Sequence, residues 1–358
     1  MSVVAGGERE AVAEGVLLLD VEAERGSGRL QEIGLVLGGK SLRWVRGQSG
    51  SLAEALEGFA AGAAAVAGHN IIAHDLPLLR AAGAATALDR LPVIDTLVLS
   101  PLSHPQNPYH RLIKDYKLVR EALNDPVADA RLARRALAVS AEAFAAMEPG
   151  HAGFHAWCLR HAGFEGDVSG AGMADLLERL GARPLASAAE AAALFEALTE
   201  GRACRRVAPG VARTAVDDPA RRLGLAYLTA WIGVTDHGDS VIPPWVLRSV
   251  RHVRALLAGL RDTPCADPAC TYCREHHDHP AAEEDLRLSR LSSRASGPGW
   301  RQPATAGRGL RRGRARRSGR SPTRCSSDRG CGRWRRSFPR RWWRPDRHRP
   351  RGFGPAGR

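Results

Sequence analysis

Residues 15–37 read GVLLLDVEAERGSGRLQEIGLVL, and the alternation of apolar runs and breaks in this stretch decides the fold. GVLLLD at 15–20 is a short apolar run of the kind that forms a buried strand. LQEIGLVL at 30–37 follows a GSG break, and SLRWV at 41–45 follows GGK. The three segments therefore predict a three-stranded antiparallel meander.

The segments that follow alternate between helix and strand patterns. SLAEALEGFAAGAAAVA at 51–67 predicts a helix with Ser51 as its N-cap and Glu54 three residues later. The next predicted elements are a short strand in VAGHN, a helix at 75–82, a strand in LPVIDTLVL at 91–99, and a helix that opens with Asp125 before Pro126. This order predicts an α/β layer with a mixed sheet.

Charge is distributed unevenly along the 358 residues, which suffice for two or three domains. The net charge is +14, yet residues 291–358 hold 21 arginines, no lysine and only two acidic residues. The remainder of the chain has more acidic than basic residues. We expect a disordered Arg-rich tail over 286–358, because it lacks a periodic apolar face. It is either a basic arm that contacts phosphates or the product of a shifted reading frame in GC-rich DNA.

Acidic residues follow the predicted strands. Asp20 and Glu22 are two residues apart on the first strand, so both side chains project from one face. Buried carboxylates are costly without a partner, and Mg²⁺ or Mn²⁺ prefers such oxygen ligands. GHNIIAHD at 68–75 places Asp75 after the fourth strand, and Asp129 lies in the helix after the fifth. Together they predict a site for divalent metal.

Four segments, LLLDVEAERGSGRLQEIGLV, GHNIIAHDLPLL, PVIDTLVL and NDPVADARLA, resemble the successive motifs of the DEDD exonucleases, the group of proofreading subunits and ribonuclease T. The resemblance covers residues 15–145. It implies an RNase H-like domain over 13–147, with a five-stranded mixed sheet flanked by helices. It also implies that Asp20, Glu22, Asp75 and Asp129 hold two Mg²⁺ or Mn²⁺ ions for 3′–5′ hydrolysis of nucleic acid in DNA repair or processing, with single-stranded 3′ ends as partners.

The chain departs from this family at the general base. The histidine branch has its base five residues before the last Asp, where this chain has Asn124; the tyrosine branch has it four before, where Asp125 stands. Asn cannot act as a base near neutral pH, and Asp125 is also a predicted helix cap. Three alternatives remain open: slower cleavage without a protein base, a displaced histidine such as His110 or His74, or binding of 3′ ends without cleavage.

Several nearby residues allow two interpretations. Asp95 either orients the site or caps the turn after its strand, and His69 is more typical of a turn than of a catalyst. Tyr109, Lys114, Tyr116 and Lys117 suit either base stacking with phosphate contacts or an ordinary amphipathic helix.

Residues 148–260 predict a helical region, which includes an amphipathic helix at 246–260. Arg248, Arg251 and Arg254 recur along that helix, as a phosphate-facing stripe or a solvated face. A zinc knuckle is predicted over 261–280, with Cys265, Cys270, Cys273 and His276 as ligands and His277 as an alternative fourth. The other interpretation is a loop with free thiols.

The stretch from SVIPPWV to CREHHDH resembles the segment between the exonuclease domain and the ATPase of certain bacterial RecQ-like helicases. No G-x-x-x-x-G-K-[ST] motif follows it. The resemblance therefore suggests a lost helicase domain or a separate helicase partner, and a non-cleaving end-binding module is the alternative function. With no apolar run of 18 residues, no visible secretory signal and seven irregularly placed cysteines, we expect a cytoplasmic protein with no membrane partner.

Overall fold

The computed structural model describes residues 13–24, 26–107, 109–112, 125–234, 242–250 and 252–277. Within them the chain forms a five-stranded mixed sheet flanked by helices, followed by a helical region. The strands are β1 (Val16–Ala23), β2 (Leu30–Leu37), β3 (Lys40–Val45), β4 (Ala65–Gly68) and β5 (Val93–Asp95). The helices are α1 (Leu52–Ala60), α2 (Leu76–Ala81), α3 (Thr96–Ser103), α4 (Pro126–Ala145), α5 (Pro149–Arg160), α6 (Ala171–Arg179), α7 (Ala188–Thr199), α8 (Ala208–Asp217), α9 (Pro219–Val234), α10 (Pro244–Ser249), α11 (Val253–Arg261) and α12 (Thr271–His276).

Strand β1 lies at the centre of the sheet, whose order is β3-β2-β1-β4-β5. It pairs antiparallel with β2 and parallel with β4. Because both faces of a central strand are covered, Leu17, Leu18 and Leu19 are all buried. The predicted antiparallel meander of the first three strands and the α/β class are confirmed.

Helix α1 is shorter than the helix predicted over 51–67. Ser51 caps it as expected, since its hydroxyl accepts a hydrogen bond from the Glu54 N–H at 3.3 Å. The helix ends at Ala60, and Ala64 already donates its N–H to the Gly15 carbonyl at 2.7 Å. Pairing with β1 therefore outweighs the helix propensity of the alanines that follow.

The predicted strand at 91–99 is also too long, because α3 begins within it. Only Val93–Asp95 is extended, and the Asp95 carboxylate accepts hydrogen bonds from the N–H groups of Leu97 and Val98. A side chain that satisfies these donors starts a helix. Asp125 does the same for α4, as predicted, accepting from Val127 and Ala128.

The single helix predicted over 246–260 is wrong: it is two helices, α10 and α11. Val250 is buried and extended, and His252 adopts a left-handed φ of 67°, so the chain turns between them. Arg248 and Arg254 consequently lie on different helices and do not form one stripe.

The apolar core continues from the sheet into the helical region. Tyr227 on α9 donates its hydroxyl to the Val98 carbonyl at 3.1 Å. On α6, a Cβ at Gly172 would lie 2.6 Å from the Val93 carbonyl oxygen, so glycine lets this helix pack on the end of β5. The boundaries at 147 and 260 stay predictions.

Among the residues described, no helix has the length and apolar character needed to cross a membrane. Predictions for Lys114, Tyr116, Lys117, Asn124, Arg251 and the tail 286–358 concern residues outside the described ranges.

Candidate functional site

Three of the four predicted carboxylates come together at the centre of the sheet. Asp20 and Glu22 on β1 and Asp129 on α4 each offer an oxygen, and these oxygens lie within 4.8 Å of one another. Asp129 is buried, while Asp20 and Glu22 are half-buried. We call these three residues the acidic group. Such a set of hard oxygen donors suits a divalent cation such as Mg²⁺ or Mn²⁺.

Gly34 on β2 lets the first turn of α4 approach the acidic group. It is paired with Asp20 across the β1–β2 ladder. A Cβ at Gly34 would lie 2.2 Å from the carbonyl carbon and oxygen of Pro126 and 2.4 Å from the Val127 nitrogen. Only a residue without Cβ can therefore occupy this position. Sequence analysis did not single out Gly34, although a glycine inside a strand is a known sign of close backbone approach.

Asp75, the fourth predicted carboxylate, lies beside the acidic group but outside it. Its side chain is 2% exposed, and its Oδ1 accepts a hydrogen bond from the Val21 N–H at 3.2 Å. Val21 separates Asp20 from Glu22 on β1, so this bond ties Asp75 to the strand that carries both. Burial raises the pKa of Asp75, and the hydrogen bond with His74 opposes the rise.

The GHNIIAHD segment reaches this position through an irregular turn. Asn70 is left-handed, with φ of 71°, and Ile71–Asp75 forms a short π-helix before α2. Asp95 holds the turn, because its carboxylate accepts from the Asn70 N–H at 2.9 Å and the Ile72 N–H at 3.1 Å. Asp95 is therefore both the cap of α3 and the support of the loop that carries Asp75. Burial raises the pKa of Asp95 to about 6, despite these donors.

The histidines considered as bases lie outside the acidic group. His74 is half exposed, and its Nδ1 is 3.1 Å from Asp75 Oδ1. That hydrogen bond raises the pKa of His74, and the charges of Asp20 and Glu22 add to the rise. His110 is buried with its Nδ1 2.7 Å from the Ser100 hydroxyl, and burial lowers its pKa.

The remaining residues of this neighbourhood have local roles. His69 Nδ1 lies 3.0 Å from the Thr96 hydroxyl, in the turn after β4. Asp125 is engaged as the cap of α4. Tyr109 is 80% exposed. Asn124, at the position of the general base in the histidine branch, falls outside the described ranges.

A second group consists of sulfur atoms and lies in the helical region. Cys204, Cys265, Cys270 and Cys273 offer sulfurs that are within 4.8 Å of one another. We call these residues the cysteine group. Sequence analysis predicted three of them but missed Cys204, because it lies far from the others in sequence and outside any recognisable spacing.

His276, a predicted zinc ligand, is not part of the cysteine group, in which Cys204 stands with the three predicted cysteines. Its ring packs edge-on against Tyr272, with centroids 4.6 Å apart. His277, the alternative ligand, places its Nε2 2.8 Å from the Arg261 carbonyl oxygen. Both histidines follow Cys273 on or just after α12, whereas Cys204 lies in the segment before α8.

Cys265, Cys270 and Cys273 have displaced thiol pKa values. Burial disfavours the thiolate at Cys270, yet N–H donors of Cys273 and Arg205 and the neighbouring thiols lower its pKa to about 7. Burial raises the pKa of Cys265 and of Cys273.

The chain matches no family model, no curated protein and no solved structure. The functional interpretation consequently depends on the geometry of the two groups. The acidic group offers hard oxygen donors, and the cysteine group offers soft sulfur donors.

Proposed function

We propose that the chain is a metal-dependent 3′–5′ exonuclease with an RNase H-like domain. The observation that supports this most directly is the acidic group: three carboxylates from β1 and α4, with oxygens within 4.8 Å of one another. Like charges at this distance repel, so a cation between them would stabilise the arrangement. The motif order around these residues, which resembles that of DEDD exonucleases, supplies the reaction and its polarity.

In this proposal Asp20, Glu22 and Asp129 hold two Mg²⁺ or Mn²⁺ ions, and Asp75 completes the set from its buried position. When bound there, two such ions would supply an activated water molecule and would stabilise the charge that develops on a phosphodiester. The protein contributes rigidity: Val21 N–H fixes the Asp75 carboxylate, and Asp95 fixes the loop before it. With Asn124 at the position of the base, we expect cleavage to be slow, since a general base typically contributes about 10²–10⁴-fold.

A single-turnover cleavage assay tests the proposal. The full chain is incubated with a 5′-labelled single strand and Mn²⁺ or Mg²⁺, beside Asp20→Asn and Asp129→Asn. Asp217→Asn is the matched control, because Asp217 is an exposed acidic residue at the end of α8. Stepwise shortening that is abolished by chelator and by the two site variants, and retained in the control, would support the exonuclease.

A binding measurement discriminates the alternative, a nucleic-acid end-binding module that does not cleave. The departure at Asn124 favours this alternative. Fluorescence anisotropy with strands bearing a free or a blocked 3′ end would detect it. Tight binding that depends on a free 3′ end, to a strand that stays intact for hours, would support the end-binding module and contradict the exonuclease. A strand that is neither cut nor bound would contradict both functions.

A further inference from the structure

The cysteine group is assembled from three separate parts of the chain. Cys204 precedes α8, Cys265 follows α11, and Cys270 and Cys273 flank the first turn of α12. Cys204, Cys270 and Cys273 are buried, and Cys265 is half-buried. All four are free thiols whose sulfurs mutually approach within 4.8 Å.

Backbone hydrogen bonds hold the cysteines in this arrangement. The Cys204 N–H donates to the Leu260 carbonyl at 2.9 Å, which joins the segment before α8 to the end of α11. The Cys265 N–H points at the Cys273 sulfur at 3.4 Å. An N–H group directed at a sulfur stabilises the thiolate form and orients it for a metal.

Two arginines contact the loop between Cys265 and Cys270. Arg205 donates from its Nη1 to the Ala269 carbonyl at 3.2 Å, in the loop between Cys265 and Cys270. Arg205 and Arg206 both pair with the nearly buried Asp267 in the same loop, each at 3.2 Å. The two guanidinium groups therefore bring two positive charges against the one carboxylate of Asp267 to the loop between Cys265 and Cys270. They would offset the net negative charge of a four-thiolate zinc site.

We propose that Cys204, Cys265, Cys270 and Cys273 bind one zinc ion in a closed, structural site. Four sulfurs about 2.3 Å from a tetrahedral zinc ion lie about 3.8 Å from one another. The sulfurs of the cysteine group already lie within 4.8 Å of one another, so small side-chain movements would bring them to this separation. Binding releases the thiol protons, so the ion is held by four thiolates. With four protein ligands no position stays open for water, and the ion takes no part in hydrolysis.

The role of the ion follows from where its ligands lie. It connects the loop before α8 to the segment after α11, beside bonds such as that of Arg261 Nε to the Arg202 carbonyl at 3.2 Å. The zinc would therefore attach the segment 265–277 to the helical region and would leave the acidic group untouched. A single ion also fits better than a cluster of several irons, whose larger core spreads its cysteines further apart.

Metal analysis of the purified full chain tests the proposal. We expect one zinc per chain in the wild type, and at least tenfold weaker retention against a competing chelator in Cys204→Ser. His276→Ala and Cys158→Ala are matched controls, since Cys158 is a buried cysteine outside the group; both should keep the zinc. Cobalt substitution of the wild type provides a second measurement that needs no variant, because four thiolates give tetrahedral cobalt an intense charge-transfer absorption.

Four results would overturn the proposal: full zinc retention in Cys204→Ser, loss of zinc in His276→Ala, disulfides between these cysteines in freshly purified protein, or iron in place of zinc. If Cys204→Ser fails to fold, the cobalt spectrum of the wild type decides, since a site with one histidine and three thiolates absorbs differently. Nuclease activity is not needed as a readout, so failure of the proposed hydrolysis would not affect this test.

Discussion

Replacing Gly34 with alanine tests how the acidic group is assembled. The added Cβ would lie 2.2 Å from the carbonyl carbon and oxygen of Pro126, well inside the ~3.5 Å at which such atoms make favourable contact. These are backbone atoms of the first turn of α4, so no side chain can rotate away. The start of α4 must therefore move outward by more than about 1 Å.

The displacement has two measurable consequences. Overpacking of this kind costs about 1–3 kcal/mol of the free energy of unfolding. Asp129 lies in the displaced turn and would move away from Asp20 and Glu22, whereas metal ligands tolerate deviations of only about 0.2 Å. We therefore expect Mn²⁺ affinity to fall at least about tenfold.

Urea denaturation and Mn²⁺ titration by electron paramagnetic resonance would measure the two effects separately. Gly39→Ala is the matched control, since a Cβ at Gly39 meets nothing within 4 Å. A Gly34→Ala protein with the unfolding midpoint of this control would refute the close approach of α4. Lost stability with unchanged Mn²⁺ affinity would instead refute the dependence of the acidic group on that approach.

Three further substitutions test the supporting contacts. The pKa of Asp95 is raised from 3.8 to about 6, so its contribution to folding stability falls by up to about 3 kcal/mol as pH rises from about 4 to 6. The difference in free energy of unfolding between wild type and Asp95→Asn, measured by urea titration, should therefore be smaller at pH 7 than at pH 4.5. An equal difference at both pH values would contradict the raised pKa of Asp95. Asp125→Ala should lose about 1 kcal/mol with its cap, and a ~10²-fold loss of cleavage in fully folded protein would instead assign Asp125 a role in chemistry. Tyr227→Phe should destabilise the protein by about 0.5–1.5 kcal/mol, because the buried hydrogen bond from its hydroxyl to the Val98 carbonyl is lost; an unfolding midpoint equal to that of wild type would contradict this contribution.

Helix ends and strands could be predicted from the sequence where they depend on residues only a few positions apart. Ser51 and Asp125 cap α1 and α4 because a side-chain oxygen meets an N–H two or three residues ahead, a relation that the sequence displays directly. The apolar run of β1 similarly indicated a covered, central strand. The ends of α1 and β5 were wrong, since sheet pairing at Ala64 and the cap by Asp95 compete with propensity.

The candidate sites likewise contain residues that the sequence indicated and residues that only the packing of distant elements brought in. The residue types and spacing of Asp20, Glu22, Asp75 and Asp129 were legible in the sequence, as were three of the four grouped cysteines. The choice of Cys204 over His276 was not, because it depends on how α8 packs beside α11. Spacing along a chain reports which side chains share a short element, but it carries no information on which distant element will lie across from it.

The sequence by itself thus determined most of the element types, the caps Ser51 and Asp125, and the acidic and cysteine motifs, because each arises from interactions within a few residues. Only the tertiary structure decided that α4 packs closely against Gly34 on β2. It also decided that Asp95 holds the loop before Asp75 by hydrogen bonds, and that Cys204 joins the cysteine group. Each of these depends on two backbones meeting at a particular distance. That distance is set by the packing of the whole core and by no local pattern.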